Sequence, residues 1–383
     1  MFDERFLVNN LIKDYYRKAA APAPDKIEQR EFGIGNWETK IAFRHVAFKA
    51  PAELKEYLAL NGPPFISYSP AYYRFPAGRP MEMKGSMGAE LIFDIDSSDL
   101  ALACQMTHGK SWVCPTCFDA VKREAFKLIE DFLIPDFGFS KSEIAVNFSG
   151  NRGYHIHVSG DAALSLSPEA RREVSNYITG AGITPEELFP TLGQRGHILM
   201  GPNPDDRGWK GKIAKNFIKA IEGGTDSLLA IGMDKVNANR IVKNKAFMIE
   251  GIKRGNWDMI DIKHKAEFWK YIIANQTVVQ SDRIDKNVTN DPGHLIRLPN
   301  SINGNSGLVV RKLAKVDYLN KFDPMKDAIA FKGKEVKIKA DTKQSVIMGG
   351  ETFGPYRNAE ATVPLYVGVY LYLKGAAHIT EVV

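Results

Sequence analysis

The sequence predicts a mixed α/β (α+β) protein in which strands carry a group of acidic side chains and a mostly helical segment interrupts the core. Three observations support this class. Strand-like and helical patterns alternate up to about residue 160. From about residue 168 to residue 278 the chain changes to charged helical segments broken by proline and glycine, and strand character then returns. We therefore expect an α/β core formed by residues 1–167 and 281–383, with residues 168–280 as a mostly helical insertion or subdomain.

The elements of the first half follow from the spacing of apolar residues. Phe6, Leu7, Leu11 and Ile12 lie near one face of an amphipathic N-terminal helix. Alternating apolar residues predict strands. These strands are Lys40–Ala47, Phe65–Tyr68, Glu90–Ile95, Glu143–Phe148 and Tyr154–Ser159. Apolar residues at helical spacing predict helices at Pro51–Leu60 and Pro115–Leu133.

The C-terminal part of the chain returns to strand patterns. His294–Leu298 and Gly307–Lys312 have strand character. In the lysine-rich segment Phe331–Lys343 the lysines alternate with apolar residues, which favours an exposed edge strand because lysine protects strand edges from pairing. The tail from Thr362 to Ile379 predicts a closing helix.

Composition and charge exclude some classes of protein. No apolar run approaches the roughly 18–20 residues that a transmembrane helix needs. The N-terminus carries acidic residues where a signal peptide carries basic ones, so we expect an intracellular protein without a membrane association. Fifty-one basic and forty-five acidic residues give a net charge of +6, which is compatible with nucleic acid or nucleotides but also with many unrelated enzymes.

An aspartate pair ends one apolar strand. Asp94 and Asp96 are two residues apart, so in a strand both side chains point to the same face, while Phe93 and Ile95 point into the core. Two neighbouring carboxylates repel each other unless a cation lies between them, and Mg²⁺ binds such carboxylates together with phosphate oxygens. The pair therefore suggests a site for metal-dependent phosphoryl transfer. Two surface aspartates at a strand end would have the same pattern.

A glycine-flanked basic turn follows the next apolar strand. It runs Ser149-Gly-Asn-Arg-Gly-Tyr-His155 and leads into another alternating strand. The two glycines permit a tight turn close to a ligand. Ser149, Asn151 and Arg152 offer a hydroxyl, an amide and a guanidinium group, all common phosphate partners, and His155 lies on the following strand. A polar hairpin with a salt-bridged arginine is the alternative interpretation.

The three cysteines of the chain lie close together. Cys104, His108, Cys114 and Cys117 supply four ligands within fourteen residues. The C-P-x-C turn before a helix is frequent in structural zinc sites, and four protein ligands leave no open coordination position for catalysis. We therefore expect a structural Zn²⁺ ion rather than a disulfide framework, with free cysteines beside an incidental histidine as the alternative.

Several motifs resemble, in the same order, those of the small subunits of archaeal and eukaryotic DNA primases. The first two are the D-I-D strand and the S-G-N-R-G-Y-H turn. The run Asp285–Gly307 resembles the third block of that family. Arg30-Glu31-Phe32, Phe322-Asp323-Pro324 and the segment that begins at Val363 also match, so the resemblance extends over nearly the whole chain.

The resemblance implies roles for individual residues. The catalytic metal ligands would be Asp94, Asp96 and Asp285, with Asp282 and Asp291 ranked lower. The residues that bind the nucleotide would be Ser149, Asn151, Arg152, His155, Arg297 and Asn303. Two of these depart from relatives, since Asn151 stands where eukaryotic members have a second arginine and Asn303 where many have a histidine.

The resemblance also implies an activity and partners. The protein would be a DNA primase catalytic subunit that synthesises short primers on a single-stranded DNA template from NTPs or dNTPs, releasing pyrophosphate. Its cofactors would be catalytic Mg²⁺ or Mn²⁺ and structural Zn²⁺, and its partner a large subunit with an iron–sulfur cluster. It would act in the cytoplasm or nucleoid if archaeal and in the nucleus if eukaryotic. A primase-polymerase of a plasmid or repair system, or an inert zinc-bearing subunit that binds nucleic acid, are the alternatives.

Overall fold

The computed structural model describes residues 3–19, 23–259 and 285–383. By its internal packing the chain divides into two compact units. The first consists of Met1–Ile134, Gly138–Arg172 and Ile284–Val383, and the second consists of Pro135–Phe137 and Glu173–Arg283. Part of the predicted insertion, residues 260–280, and Asp282 lie outside the described residues. The predicted boundaries at 168 and 280 stay a prediction.

Helices occur along the described chain, and Pro115–Lys127 continues as a π-helical turn over Leu128–Leu133. In chain order they are α1 (Glu4–Lys18), α2 (Pro51–Asn61), α3 (Gln105–His108), α4 (Pro115–Lys127), α5 (Asp161–Leu164), α6 (Pro168–Thr179), α7 (Pro185–Leu188), α8 (Gly208–Glu222), α9 (Thr225–Ala230), α10 (Lys235–Lys243), α11 (Lys245–Lys253), α12 (Lys286–Asn290), α13 (Pro324–Asp327) and α14 (Leu365–Leu373). None of them, within the residues described, is long and apolar enough to span a membrane.

The strands of the described chain belong to the first unit. They are β1 (Phe32–Gly35), β2 (Phe43–Val46), β3 (Phe65–Tyr68), β4 (Ala71–Tyr73), β5 (Ser86–Ala89), β6 (Leu91–Asp96), β7 (Ile144–Phe148), β8 (Gly153–Val158), β9 (Ile296–Arg297), β10 (Arg311–Lys312), β11 (Glu335–Ala340), β12 (Val346–Met348), β13 (Glu351–Phe353), β14 (Ala359–Pro364) and β15 (Ala377–Val382). Together with the helices they confirm the mixed α/β class.

Two four-stranded sheets position the polar residues of the first unit. One has the order β2-β1-β3-β9, and the other has the order β10-β7-β8-β6. In the second sheet β6 runs antiparallel to β8, so that Asp94 faces His155 and Asp96 faces Gly153 in the register. The aspartate strand and the strand after the basic turn are therefore direct neighbours. A three-stranded sheet β14-β11-β15 and two small hairpins complete the unit.

Two sequence predictions about the C-terminal strands and helix were wrong. The segment from 331 to 343 forms β11, which lies at the centre of its sheet rather than at an edge, because β14 and β15 pair with both of its sides. The alternation itself holds, since Val336 and Ile338 are fully buried. The predicted closing helix is instead β14, α14 and β15 in succession, and only its middle part is helical.

The buried face of α1 also differs from the prediction. Val8, Ile12 and Tyr16 are the buried residues, at the i, i+4 and i+8 positions of one helical stripe, whereas Phe6 is 65% exposed. The hydroxyl of Tyr16 accepts a hydrogen bond from the backbone N–H of Ile302 at 3.1 Å. The stripe extends to Tyr16 because the polar end of that side chain finds a buried partner, which helical spacing alone does not reveal.

The second unit is helical in its described residues and has its own apolar core. Phe189 and Phe217 pack against Trp257 with ring centroids 5.2 and 5.3 Å apart. Trp257 is fully buried, and its indole N–H donates to the carbonyl of Pro202 at 2.7 Å. This buried hydrogen bond satisfies the one polar atom of the largest core side chain in the unit.

Candidate active site

The paired aspartates end β6 on its polar face. Phe93 and Ile95 are 0% and 1% exposed, whereas the side chains of Asp94 and Asp96 are 28% and 23% exposed. The alternation along the strand thus separates two core residues from two carboxylates that open to solvent. The structure confirms that both carboxylates lie on one face.

Asp285 joins the pair from a helix terminus rather than from a strand. It caps the N-terminus of α12, where its carboxylate accepts a hydrogen bond from the N–H of Asn287 at 2.9 Å. Its own N–H donates to the carbonyl of Asp94 at 3.1 Å. That bond attaches the start of α12 to β6 and brings the third predicted carboxylate to the pair.

The three carboxylates form an electronegative site that a cation would neutralise. Burial, together with the charges of Asp96, Asp285 and Asp99, raises the pKa of Asp94 to about 7. The carboxylate oxygens of Asp94, Asp96 and Asp285 do not all lie within 4.8 Å of one another. Hard divalent cations prefer carboxylate oxygens and stabilise adjacent negative charges, so these residues fit Mg²⁺ or Mn²⁺.

The predicted glycine turn joins β7 to β8, and its geometry requires both glycines. Gly150 has φ +78°, and a Cβ atom there would lie 2.8 Å from the Cβ of Asn303. A Cβ atom on Gly153 would lie 2.2 Å from the carbonyl oxygen of Ile95 on the neighbouring strand. The turn closes by reciprocal bonds between Ser149 and Gly153. The backbone therefore approaches β6 more closely than any other residue type would permit.

Arg152 points from this turn toward the carboxylates. Its guanidinium group lies 3.2 Å from a carboxylate oxygen of Asp96, and its Nη1 donates to the carbonyl of Lys110 at 2.9 Å. The side chain of Arg152 is 25% exposed. The salt bridge that the sequence left as an alternative is therefore present, and its partner is one of the predicted metal ligands.

His155 and Arg297 each retain a buried side-chain nitrogen atom without a protein partner among the described residues. These atoms are Nδ1 of His155 and Nη1 of Arg297. Burial lowers the pKa of His155 well below its usual value, so its imidazole is neutral. Burial also lowers the pKa of Arg297, to about 10, which leaves its guanidinium group charged over the ring of Phe65. The unpaired guanidinium donor of Arg297 is suited to bind an anionic ligand, and the neutral imidazole of His155 can act there as a hydrogen-bond partner.

The two asparagines that depart from the family pattern bind to other parts of the protein. The amide of Asn303 donates to the carbonyl of Ser149 at 2.9 Å, and its oxygen accepts from the N–H of Asn305 at 3.0 Å. The amide oxygen of Asn151 accepts from the ammonium group of Lys374 at 2.8 Å. Both side chains thus hold the glycine turn in position.

These side chains line a common cleft with a volume of about 330 Å³. It contains eight predicted site residues: Asp94, Asp96, Ser149, Asn151, Arg152, His155, Arg297 and Asn303. The sequence analysis did not single out Lys40, Ser67, His294 or Asn305, which also line it. Burial and the charges of Arg297 and Arg152 lower the pKa of Lys40. The run Asp285–Gly307, which contains His294 and Asn305, had been noted as a motif, whereas Lys40 and Ser67 come from distant segments.

A buried ionic layer lies next to the carboxylate strand. Glu90 accepts from Arg30 at 2.5 Å and from Nδ1 of His157 at 2.9 Å. Burial opposes ionisation of Glu90, but the hydrogen bond and charge of His157, followed by those of Arg30, lower the pKa of Glu90 to about 2. Arg30 belongs to the Arg-Glu-Phe motif noted in the sequence, and it stabilises the start of β6 rather than lining the cleft.

The cysteine and histidine side chains converge as the sequence predicted. Sγ of Cys117 lies 3.5 Å from Cys104 Sγ, 3.7 Å from Cys114 Sγ and 3.6 Å from Nε2 of His108. A tetrahedral zinc ion with Zn–S bonds of about 2.3 Å requires ligand separations of roughly 3.8 Å. Nδ1 of His108 is 2.7 Å from the carbonyl of Gly109, which fixes the tautomer that leaves Nε2 for a metal. The four residues therefore fit Zn²⁺.

Comparisons with known proteins point to one family. Residues 93–314 match the family model described as the DNA primase small subunit. A protein of Methanococcoides burtonii named DNA primase small subunit PriS is 32% identical, and the match covers 97% of this chain and 98% of the relative. Proteins with the same name are 33% identical in Methanothrix thermoacetophila, covering 96% of each chain, and 31% identical in Halobacterium salinarum, covering 95% of each.

Proposed function

The chain belongs to the family of DNA primase small subunits, and from that premise we propose that it is the catalytic subunit of a DNA primase. It is a nucleotidyltransferase that makes short primers on single-stranded DNA from nucleoside triphosphates. The observation that carries the proposal is the joint presence, in one cleft, of paired carboxylates and of buried nitrogen atoms without a protein partner on Arg297 and His155. A metal-bound triphosphate needs both kinds of group.

Asp94, Asp96 and Asp285 would hold the catalytic Mg²⁺ or Mn²⁺ ions. When bound, such ions activate an attacking hydroxyl group and stabilise a leaving pyrophosphate. The carboxylates contribute a rigid site, because two of them lie on β6 and the N–H of Asp285 is bonded to the same strand. Their mutual repulsion favours cation binding over an empty site.

The basic side chains would bind the triphosphate. Arg297 offers a charged donor, and the neutral imidazole of His155 offers a hydrogen bond without adding charge. Arg152 would divide its donors between the nucleotide and Asp96, so that ligand binding and the metal site affect each other. Ser149, Asn151 and Asn303 form hydrogen bonds that hold the glycine turn, and the turn would let its backbone approach the phosphates closely.

The zinc ion would stabilise the segment between β6 and α4. Four protein ligands leave no coordination site for substrate, so this ion would take no direct part in the reaction. As a member of this family the protein would act with a large subunit and a DNA template. We further propose that the large subunit carries an iron–sulfur cluster and that the complex works inside the cell, where its template is.

Primer synthesis on a single-stranded template tests the proposal. The protein, with and without its large subunit, is supplied with NTPs or dNTPs and with Mg²⁺ or Mn²⁺, and new chains are resolved by length. We expect products from the wild type and none from an Asp94→Ala, Asp96→Ala double variant that melts normally. Asp131→Ala changes an exposed carboxylate outside the cleft and should retain activity.

Three outcomes would redirect the proposal. Synthesis by the double variant would place the metal site elsewhere. No synthesis by the folded wild type with its large subunit would favour an inert subunit that binds nucleic acid. Efficient extension of long DNA chains would favour a primase-polymerase of a plasmid or repair system, which would use the same cleft.

A further inference from the structure

The segment between two of the zinc ligands contacts the glycine turn of the cleft. Residues 109–113 connect His108 to Cys114. The carbonyl of Lys110 accepts from Nη1 of Arg152 at 2.9 Å, and the next carbonyl, that of Ser111, accepts from Nζ of Lys374 at 3.2 Å. Two adjacent carbonyl groups of this segment, hereafter the knuckle loop, therefore each accept from a cation.

Lys374 connects the knuckle loop to the turn. It follows the last residue of α14, and its ammonium group also donates to the amide oxygen of Asn151 at 2.8 Å. The ammonium lies 5.4 Å from the ring centroid of Tyr370, against which Trp112 of the knuckle loop packs edge-on. Burial, with repulsion from Arg152, lowers the pKa of Lys374 to about 8. A largely desolvated ammonium group is held in place by its acceptors.

We propose that Lys374 is a positioning residue that joins the knuckle loop to the glycine turn, so that zinc binding sets the affinity for the nucleotide. The inference rests on the proposed function, because it assumes that this turn binds a triphosphate. Zinc bound to His108 and Cys114 would fix both ends of a short loop and, with them, the two carbonyl groups.

Arg152 is the residue through which the position of the knuckle loop would affect the cleft. Its guanidinium group is shared between the carbonyl of Lys110 and the carboxylate of Asp96. If the knuckle loop moves away, Arg152 loses its neutral acceptor and pairs more fully with Asp96. The cleft then loses a triphosphate partner, and a carboxylate of the metal site becomes engaged by a protein cation. Zinc thereby acts on binding without touching the substrate.

Substitution of Lys374 tests the connection. Lys374→Met keeps the apolar stem over Tyr370 and removes the donors, Lys374→Arg retains a cation with donors, and Lys339→Met is a matched change on the exposed side of β11. Nucleotide affinity is measured by titration of a dNTP with Mn²⁺ in the absence of template, beside zinc content, melting temperature, KM and kcat.

We expect Lys374→Met to retain zinc and raise the nucleotide Kd and KM about three- to tenfold. Displacement of the knuckle loop would weaken the contact between Arg152 and the nucleotide by about the contribution of one ordinary hydrogen bond. The arginine variant should recover much of the affinity, and Lys339→Met should match the wild type. A Lys374→Met protein that binds nucleotide like the wild type would overturn the inference. A wild type that binds no nucleotide would instead refute the proposed function.

A double-mutant cycle tests whether zinc and Lys374 act through one connection. Cys114→Ser, which removes a zinc ligand, should also weaken nucleotide binding, and adding Lys374→Met should cause little further loss. Fully additive losses would show independent effects and overturn the inference. If Cys114→Ser does not fold, wild-type protein stripped of zinc and then titrated with Zn²⁺ should recover zinc and nucleotide affinity together. Full affinity without zinc would contradict the coupling.

Discussion

Replacing Asp94 with asparagine should abolish primer synthesis and at the same time stabilise the protein in the absence of divalent cations. Asp94 is the carboxylate whose pKa burial and the neighbouring charges of Asp96 and Asp285 raise to about 7. Ionised Asp94 therefore destabilises the fold at neutral pH, and a neutral amide of similar shape removes that repulsion. Active sites commonly maintain such unfavourable arrangements for function.

The magnitude follows from the pKa of Asp94. A rise from 3.8 to about 7 is about 3 pKa units, and at about 1.4 kcal/mol per unit the destabilisation has a ceiling of about 4 kcal/mol. The carboxylate is 28% exposed, so screening by solvent reduces the effect, and we expect a gain of about 1–3 kcal/mol. For a unit of this size that gain corresponds to roughly 2–6 °C in melting temperature.

The sign of the pH dependence is fixed by linkage. Between pH values near 3.8 and 7 the folded protein binds the Asp94 proton more tightly than the unfolded chain does, so this group lowers the stability of the wild type as pH rises. The stability difference between Asp94→Asn and wild type should therefore be small below pH 3.8 and reach its full size above about pH 7.

Melting curves across this pH range provide the assay, in buffer freed of divalent cations by a resin that leaves the bound zinc. Added Mn²⁺ should stabilise the wild type more than Asp94→Asn. Asp131→Asn, an exposed change outside the cleft, should show no comparable dependence on pH. An Asp94→Asn protein that is less stable than the wild type at neutral pH, or a gain that does not vary with pH, would refute the reasoning.

Four further predictions concern the cleft and its support. Arg152→Ala should raise the nucleotide KM by about 10–100-fold through loss of a charge-assisted hydrogen bond, and His155→Ala by less, because its imidazole is neutral; unchanged kinetics in both would locate the triphosphate elsewhere. Gly153→Ala should lower the unfolding free energy by about 1–3 kcal/mol in denaturant titrations, since its Cβ would meet a carbonyl of β6 at 2.2 Å. Cys114→Ser should release zinc and lower the melting temperature, and a zinc-free protein with normal melting would contradict the structural role. Glu90→Gln should cost about 3–5 kcal/mol at neutral pH, and this difference should shrink as pH falls from 4.5 toward about 2, where the wild-type carboxylate is protonated; a constant difference would argue against the buried ion pair.

Local patterns were sufficient to predict most of the elements near the cleft. Alternation of apolar and acidic residues predicted β6 with Asp94 and Asp96 on one face, and the two glycines predicted the turn before β8. The spacing of the cysteines predicted that Cys104, His108, Cys114 and Cys117 converge, and the structure confirms this convergence. Each of these signals depends on residues a few positions apart, whose relation the backbone geometry of a strand or turn determines.

Other features depended on contacts between distant segments. The strand at 335–340 has the lysine alternation of an edge, but pairing with β14 and β15 makes it central. Ser67 enters the cleft because β9 pairs with β3, and Lys40 enters it from the connection between β1 and β2. No local pattern encodes either placement. The catalytic roles assigned to the predicted site residues stay predictions until the variants are measured.

The sequence by itself determined the class of the fold, the family, the strand that carries two carboxylates, the glycine turn and the cluster of three cysteines and a histidine, because each is encoded in short-range spacing or in an ordered series of motifs. Only the tertiary structure decided that Asp285 reaches the pair through a hydrogen bond to β6, that Asn151 and Asn303 support the turn, and that Lys374 joins the turn to the knuckle loop. Those contacts connect residues up to 263 positions apart. They form only when packing of the whole unit brings their donors and acceptors within hydrogen-bonding distance.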